Sequence, residues 1–424
     1  MFKITKPEVE KPSNNTVEVL DSIMGSGKST EVIKWIDNNT EERFIYVSPL
    51  LSEVEDGGRI HQALEKTTFE TPTDIEGSKS EHFLELLKDG VNIACTHSLY
   101  LGMTSEHFSE IKDKGYIVVI DEEIDVIESF DKYSNKDLEW LIANQQVDIS
   151  EDDGMVSWIG DRSLVTKEHK YHTMLSYCDA KALYTAKRSD SMMVTQLPIK
   201  LFESSKRVII LTYMFKGNIL DKFLQLKGFN VTPFTEVVVV NKSKEEVKSL
   251  LKIIPPNDKL KKMSMSSTWY RNKATTEDIR TIGNFIRTLC LNEKVLSKDV
   301  AWCVPKFRVD RNTKVDKNLI KPKGFIVDSE GNLCYLPVTT RATNKYRNKK
   351  VMIHCFDRYP HISVASYLED YGYKVDNSVF ALSEMLQWIW RGCIRDDKPM
   401  TLAIGSKRMH NLFLSWLEGE FDEQ

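Results

Sequence analysis

Seven consecutive residues constrain this chain more than any other feature: Met24-Gly25-Ser26-Gly27-Lys28-Ser29-Thr30 lies between an apolar run at 16–20 (TVEVL) and a helical one at 31–36 (EVIKWI). Glycines at 25 and 27 let the backbone wrap an anion with no Cβ in the way, and a helix starting there aims its first amide N–H groups and its dipole at that anion. Such a strand–loop–helix unit is expected in an α/β fold. Against the pattern G-x-x-x-x-G-K-[ST], Ser22 stands at the first glycine, while Gly25 and Gly27 keep the tight part of the loop. The motif assigns Gly25, Ser26, Gly27, Lys28, Ser29 and Thr30 to ATP. Lys28 would reach the β- and γ-phosphates, and Ser29 would ligate Mg2+.

Short β-rich runs recur at 43–48, 91–95, 116–120 and 207–212. Helical segments separate them, which predicts a parallel sheet covered on both faces. A long stretch at about 131–200 reads as a mostly helical insertion, with Leu138, Trp140 and Leu141 at helix-like spacing. A second alternating series follows, with strands at 299–304, 333–338, 350–356 and 400–404 and helices at 276–292, 363–372 and 381–395. The organisation expected is two RecA-like parallel-sheet domains in tandem. The first spans 1–243 and carries the insertion; the second spans 244–424.

Composition excludes some classes. Of 424 residues 41% are hydrophobic and 28% charged, with a formal charge of −4, so the whole molecule is not a polycation. Residues 301–350 nevertheless hold twelve Lys/Arg against four Asp/Glu, a basic stretch suited to tracking a phosphate backbone. Seven cysteines are scattered with no C-x-x-C pair, which predicts buried thiols in a reducing compartment. No run approaches the ~18 apolar residues of a membrane span, and residues 1–12 lack the apolar core of a signal peptide. No membrane association is expected, and the compartment expected is the cytoplasm.

Two further constellations carry chemistry. Ile117-Val118-Val119-Ile120 delivers Asp121-Glu122-Glu123 at the end of an apolar strand. Asp121 would hold Mg2+ through water, and Glu122 would orient and deprotonate the attacking water. Near the C-terminus, Gln387, Arg391 and Arg395 share one face if their segment is one helix, spaced i, i+4, i+8. Two guanidiniums so placed could act as arginine fingers on transition-state charge; a salt-bridged helix with Trp388 and Trp390 partly buried is the bland alternative.

The order of these elements resembles superfamily 2 helicases, especially the compact DEAD/DEAH-like helicases of tailed bacteriophages. Lys28 matches motif I, and Asp121-Glu122-Glu123 stands where those enzymes carry D-E-x-[DH]. Ser48-Pro49-Leu50 is similar to motif Ia, Thr96-His97-Ser98-Leu99 to motif Ib, Thr212 to the hydroxyl of motif III, and Thr339 to Asn344 to motif V. The Gln387 segment is similar to motif VI, with Trp390 in place of its glycine and the second arginine one residue late. The resemblance implies ATP in a cleft between two domains and a single strand gripped alternately as that cleft opens and closes. It also implies backbone contacts from Ser48, Thr96, Arg341, Thr343, Lys345 and Arg347.

The activity expected is an ATP-dependent helicase or translocase on single-stranded or forked nucleic acid, DNA first, in phage-type replication, recombination or repair. Proteins of those processes would be partners, the chain a monomer, and the host cytoplasm its place if phage-encoded. The rival is an ATP-gated clamp or loader that does not unwind. A terminase-type motor is disfavoured, because a second strand–helix series stands where a nuclease's clustered acids would be. His169 and His172 lack a third ligand nearby, and Trp269, Tyr270 and Trp302 are expected to pack in a core.

Overall fold

The structure is a computed structural model describing residues 16–74, 77–187, 189–309, 319–340 and 345–422. The chain forms two compact units. The first comprises Met1–Ser22, Lys28–Val239 and Pro360–Asp376; the second comprises Ile23–Gly27, Val240–Tyr359 and Asn377–Gln424.

In chain order the first unit holds β1 (Thr16–Asp21), β2 (Phe44–Ser48), β3 (Ile93–Thr96), β4 (Ile117–Asp121), β5 (Ile127–Ser129), β6 (Val147–Ile149), β7 (Val156–Trp158), β8 (Leu183–Ala186), β9 (Ser189–Gln196), β10 (Arg207–Thr212) and β11 (Asn230–Pro233). Six of them form one parallel sheet in the order β11-β1-β10-β4-β2-β3. Every residue of β2 and β4 is buried, which is why both read in the sequence as unbroken apolar runs. Val32, Ile33 and Ile36 of the Lys28–Asn38 helix pack into the same core as Phe44, Tyr46, Ile117, Val119, Ile209 and Leu211. Each such aliphatic side chain contributes about 1.5–3 kcal/mol on burial. Asp37, the penultimate residue of that helix, accepts the backbone N–H groups of Glu65, Lys66 and Thr67 at 2.8–3.2 Å and so pins the crossing chain.

The insertion between β4 and β10 is mixed. Beside the helices Asn135–Ala143 and His172–Asp179 it carries the antiparallel sheet β5-β9-β8 and the hairpin β6–β7, around a core that includes Leu138, Leu141, Val156, Trp158, Met174 and Leu183. Three of its five strands, β5, β6 and β7, have three residues each, too short for alternation to register. The Ile362–Asp370 helix, which lies far downstream in the chain, packs on this sheet. Tyr367 donates its hydroxyl to the Asp153 carbonyl at 3.0 Å, and Lys187 sets its ammonium 4.6 Å from the Tyr371 ring centre.

The second unit has the parallel sheet β12 (Leu251–Ile254), β15 (Met400–Ile404), β14 (Val351–His354) and β13 (Val300–Cys303), in that spatial order. The Thr276–Asn292 helix opens on a capping box between Thr275 and Asp278. The strand expected at 333–338 is reduced to isolated bridges, Trp302 with Tyr335 and Val327 with Leu333. All seven cysteines are buried and free, and Tyr270 and Trp302 lie in the core, as expected. The fold is mixed α/β with two parallel sheets in tandem. Among the described residues no helix is long and apolar enough to cross a membrane.

Candidate functional site

The site is assembled at the carboxyl ends of β1, β4 and β2. β1 ends at Asp21, whose carboxylate accepts the N–H groups of Met214 and Phe215 at 2.8 Å each, tying the start of the glycine loop to the turn after β10. The next residue, Ser22, donates its N–H to the Thr212 carbonyl at 2.9 Å. Gly25 and Gly27 then take φ of +78° and +87°, a left-handed backbone that side chains with a Cβ rarely adopt. The helix starts at Lys28, whose Nζ folds back onto the Ser22 carbonyl at 2.9 Å.

Ser29 Oγ donates to Asp121 Oδ1 at 3.0 Å, so the residues expected at Mg2+ meet. Asp121 is 6% exposed and fixed on two further sides. Tyr46 donates its hydroxyl to Oδ2 at 2.8 Å, and His97 Nε2 donates to the Asp121 carbonyl at 2.9 Å. Burial, with Asp121 beside it, holds the Tyr46 phenol well above its ordinary value, so it remains a donor. One hydroxyl and one carboxylate, both hard oxygen donors, fit a divalent cation that keeps several waters and takes its other ligands from phosphates.

Glu122 stands at φ +65°, with its N–H on the Leu211 carbonyl at 3.0 Å. A glutamate held there is backbone strain of about 1–3 kcal/mol, of the kind that collects at reactive positions. Thr212 donates its hydroxyl to Glu123 Oε1 at 2.7 Å, joining the end of β10 to the acids after β4.

The expected nucleic-acid contacts fare differently. Ser48 and Thr96 are register partners at the ends of β2 and β3. Ser48 is fully buried and donates to Glu53 Oε2 at 3.0 Å; Thr96 accepts the Leu99 N–H as a helix cap. Lys345 donates to Asn332 Oδ1 at 3.0 Å, and Arg347 pairs with Asp396. Arg341 and Thr343 lie outside the described residues.

The single helical face expected for Gln387, Arg391 and Arg395 is not present. The helix ends at Ile389; Arg391 closes a tighter turn through its N–H to Trp388, and Arg395 belongs to a separate 3-10 turn, Cys393–Asp396. The break falls at Gly392. A Cβ there would meet Met400 Sδ at 2.6 Å and Met352 Cγ at 3.0 Å, so the chain is pressed onto β15 and β14 and leaves the helical path. Arg391 is buried at 6% exposure, and Trp388 and Trp390 are wholly in the core.

Asp21, Tyr46 and His97 were not among the residues the sequence singled out for this site. A hydroxyl-bearing ring inside the otherwise apolar strand FIYVS was the one available signal, since buried tyrosines need an acceptor.

Comparison with known proteins bears on the fold. A family model described as the YonV C-terminal Rossmann-like domain matches residues 245–417. The SPbeta prophage-derived uncharacterized protein YonV of Bacillus subtilis (strain 168) is 28% identical over 430 residues, covering 95% of this chain and 99% of that protein. Among solved structures, XPD in an apo form aligns at a TM-score of 0.55 and 14% identity over 96% of both chains. XPD helicase aligns at 0.57 and 10% identity, over 96% of this chain and 95% of that one. The chain has the fold of XPD helicases, with Rossmann-like α/β domains.

Proposed function

We propose that this chain is an ATP-dependent nucleic-acid helicase or translocase that acts on single-stranded or forked DNA, in replication, recombination or repair of the phage type. The observation that carries the reading is the hydrogen bond from Ser29 Oγ to Asp121 Oδ1, 3.0 Å long, at the carboxyl ends of β1 and β4. It unites a glycine loop and a strand-end acid, 92 positions apart, in the pairing that a magnesium–triphosphate complex requires.

On this reading the loop amides of residues 25–30 hold the phosphates, and Lys28 leaves the Ser22 carbonyl for the β- and γ-phosphate oxygens. Ser29 and, through water, Asp121 hold the cation, which neutralises charge on those oxygens when bound. Glu122 aligns the attacking water and accepts its proton. Arg391 and Arg395 stabilise the charge that develops on the transferred phosphoryl, an effect worth roughly 10³–10⁵ in rate, and Gln387 assists from the same segment. Ser48, Thr96, Arg341, Thr343 and Lys345 are assigned to the strand's backbone. YonV of a Bacillus prophage, over nearly its whole length, and the XPD helicases, through their fold, support the setting and the class of motor.

The test is steady-state ATP hydrolysis with and without single-stranded DNA, duplex DNA and single-stranded RNA, for the wild type, Lys28→Ala and Arg391→Ala. Strong stimulation by one polymer, lost in both variants, is the expected result and names the track. Hydrolysis indifferent to every polymer, or to Arg391→Ala, refutes the motor and moves the weight to an ATP-gated clamp or loader.

A further inference from the structure

Ser48 is hydrogen-bonded to Glu53. Its buried hydroxyl donates to Glu53 Oε2 at 3.0 Å, while the other carboxylate oxygen, Oε1, faces Arg59 Nη1 at 3.4 Å. The same guanidinium donates from Nη2 to Thr30 Oγ1 at 3.0 Å. A line of polar contacts therefore runs Ser48–Glu53–Arg59–Thr30. It leads from the end of β2 to the second residue after Lys28, wholly within the first unit.

The local chain is built to make this line. A one-turn helix, Leu51–Val54, gives way to a turn at 55–58 and a second short helix, Arg59–Ala63. At Gly58 a Cβ would sit 2.7 Å from the Glu55 carbonyl oxygen and 2.9 Å from the carbonyl carbon and oxygen of Glu53. Only a residue without that carbon lets the chain double back so closely and return Arg59 to Glu53. The Glu53 and Arg59 side chains keep 19% and 37% of their surface, so a solute reaches them, whereas Ser48 is fully buried.

A hydroxyl and a guanidinium converging on a carboxylate form a donor set that equally suits a phosphodiester. Two anions cannot share it. We infer that the Glu53 carboxylate holds the place of a backbone phosphate of a single nucleic-acid strand, and that the strand, by taking Arg59 and Ser48 from Glu53, acts on the phosphate loop through Thr30. The inference rests on the proposed nucleic-acid-stimulated hydrolysis and supplies its coupling: the positioning pair Glu53–Arg59 reports an occupied track to the nucleotide site. If the Ser48–Glu53 contact merely capped a short helix, removing the charge would leave the response to a strand untouched.

The experiment titrates ATP hydrolysis by the full chain with single-stranded DNA and single-stranded RNA, for the wild type, Glu53→Gln, Arg59→Met and Arg59→Lys, with melting temperature followed throughout. In Glu53→Gln the half-saturating strand concentration falls by about threefold or more, because the competing charge is gone. In Arg59→Met the ratio of stimulated to unstimulated rate falls by about fivefold or more, since the link from Glu53 to Thr30 is cut. Arg59→Lys keeps the charge but lacks the fork that reaches both partners, so it shows the same loss even if Arg59→Met melts early. Stimulation of the wild type with all three variants within about twofold of it overturns the inference alone. Absence of stimulation of the wild type by either strand overturns the motor reading and the inference with it.

Discussion

The Tyr46 phenol donates to one oxygen of Asp121 at 2.8 Å while Ser29 holds the other at 3.0 Å, so the carboxylate is oriented by the protein alone. Tyr46→Phe keeps the ring in the core and removes only the donor. A hydrogen bond to a charged acceptor is worth about 1.5–3 kcal/mol, so unfolding free energy should fall by that order. The Mg2+ concentration for half-maximal ATP hydrolysis should rise several-fold, with less change at saturating Mg2+. An unaltered Mg2+ requirement would remove Tyr46 from the site.

Asp37 offers a test of the first unit's stability. Burial pushes its carboxyl up, but the amides of Lys66, Thr67 and Glu65 and the Thr67 hydroxyl together bring it below its ordinary value of 3.8. A carboxyl lowered by folding stabilises fully above its unfolded value, and that contribution drains away as pH falls through the lower native one. Asp37→Asn should cost about 2–3 kcal/mol at pH 7 and less at a pH below the ordinary value of 3.8, in denaturant titrations at the two pH values. Equal cost at both would mean that the amides recognise shape, not charge.

In the second unit, His354 at the end of β14 is fully buried against Trp388, and neither ring nitrogen finds a hydrogen-bond partner among the described residues. Burial, with the Arg358 charge adding, pushes it down to about 3. Between that value and the ordinary 6.5 the unfolded chain binds the extra proton, so stability falls with acidification by about 1.4 kcal/mol per pH unit. From pH 6.5 to 5 the loss attributable to this ring is about 2 kcal/mol. His354→Phe should flatten that part of the pH profile in unfolding experiments; an unchanged slope would assign the acid sensitivity elsewhere.

Lys227 gives the same effect at alkaline pH. Its ammonium sits 5.0 Å from the Tyr184 ring centre and 5.6 Å from that of Phe223, and burial pushes it down to about 8 despite the Asp153 charge. Between 8 and the ordinary 10.5 the unfolded chain holds more protons, so stability from this group rises with pH across that window. Lys227→Met should raise the melting temperature at pH 7 and lose that advantage toward pH 10. A lower melting temperature at pH 7 would show that the ring contacts outweigh desolvation.

Much of the framework could be read from residues because its causes are local. β1, β2, β4 and β10 are apolar runs ended by turn residues, and the 276–292 helix carries its own capping box, so each was placed to within a residue or two. The insertion's three-residue strands hold too few side chains to show a period. The end of the arginine-bearing helix was invisible for a different reason: Gly392 looks neutral in sequence, and Met352 and Met400, which press on it, come from two other strands. The Glu53–Arg59–Thr30 contacts and the Tyr46 bond to Asp121 likewise exist only once β2, β4 and the Lys28–Asn38 helix are packed together.

Residues 360–376 belong to the first unit yet follow the 120 residues 240–359 of the second. At roughly 5–20 residues per second of ribosomal synthesis, the nascent first unit waits on the order of ten seconds for its last helix. During that interval the apolar surface of β8 and β9 that this helix covers stands open, a window for chaperone capture that closes only when the Ile362–Asp370 helix has left the ribosome. A gene truncated after residue 240 would leave the same surface bare permanently.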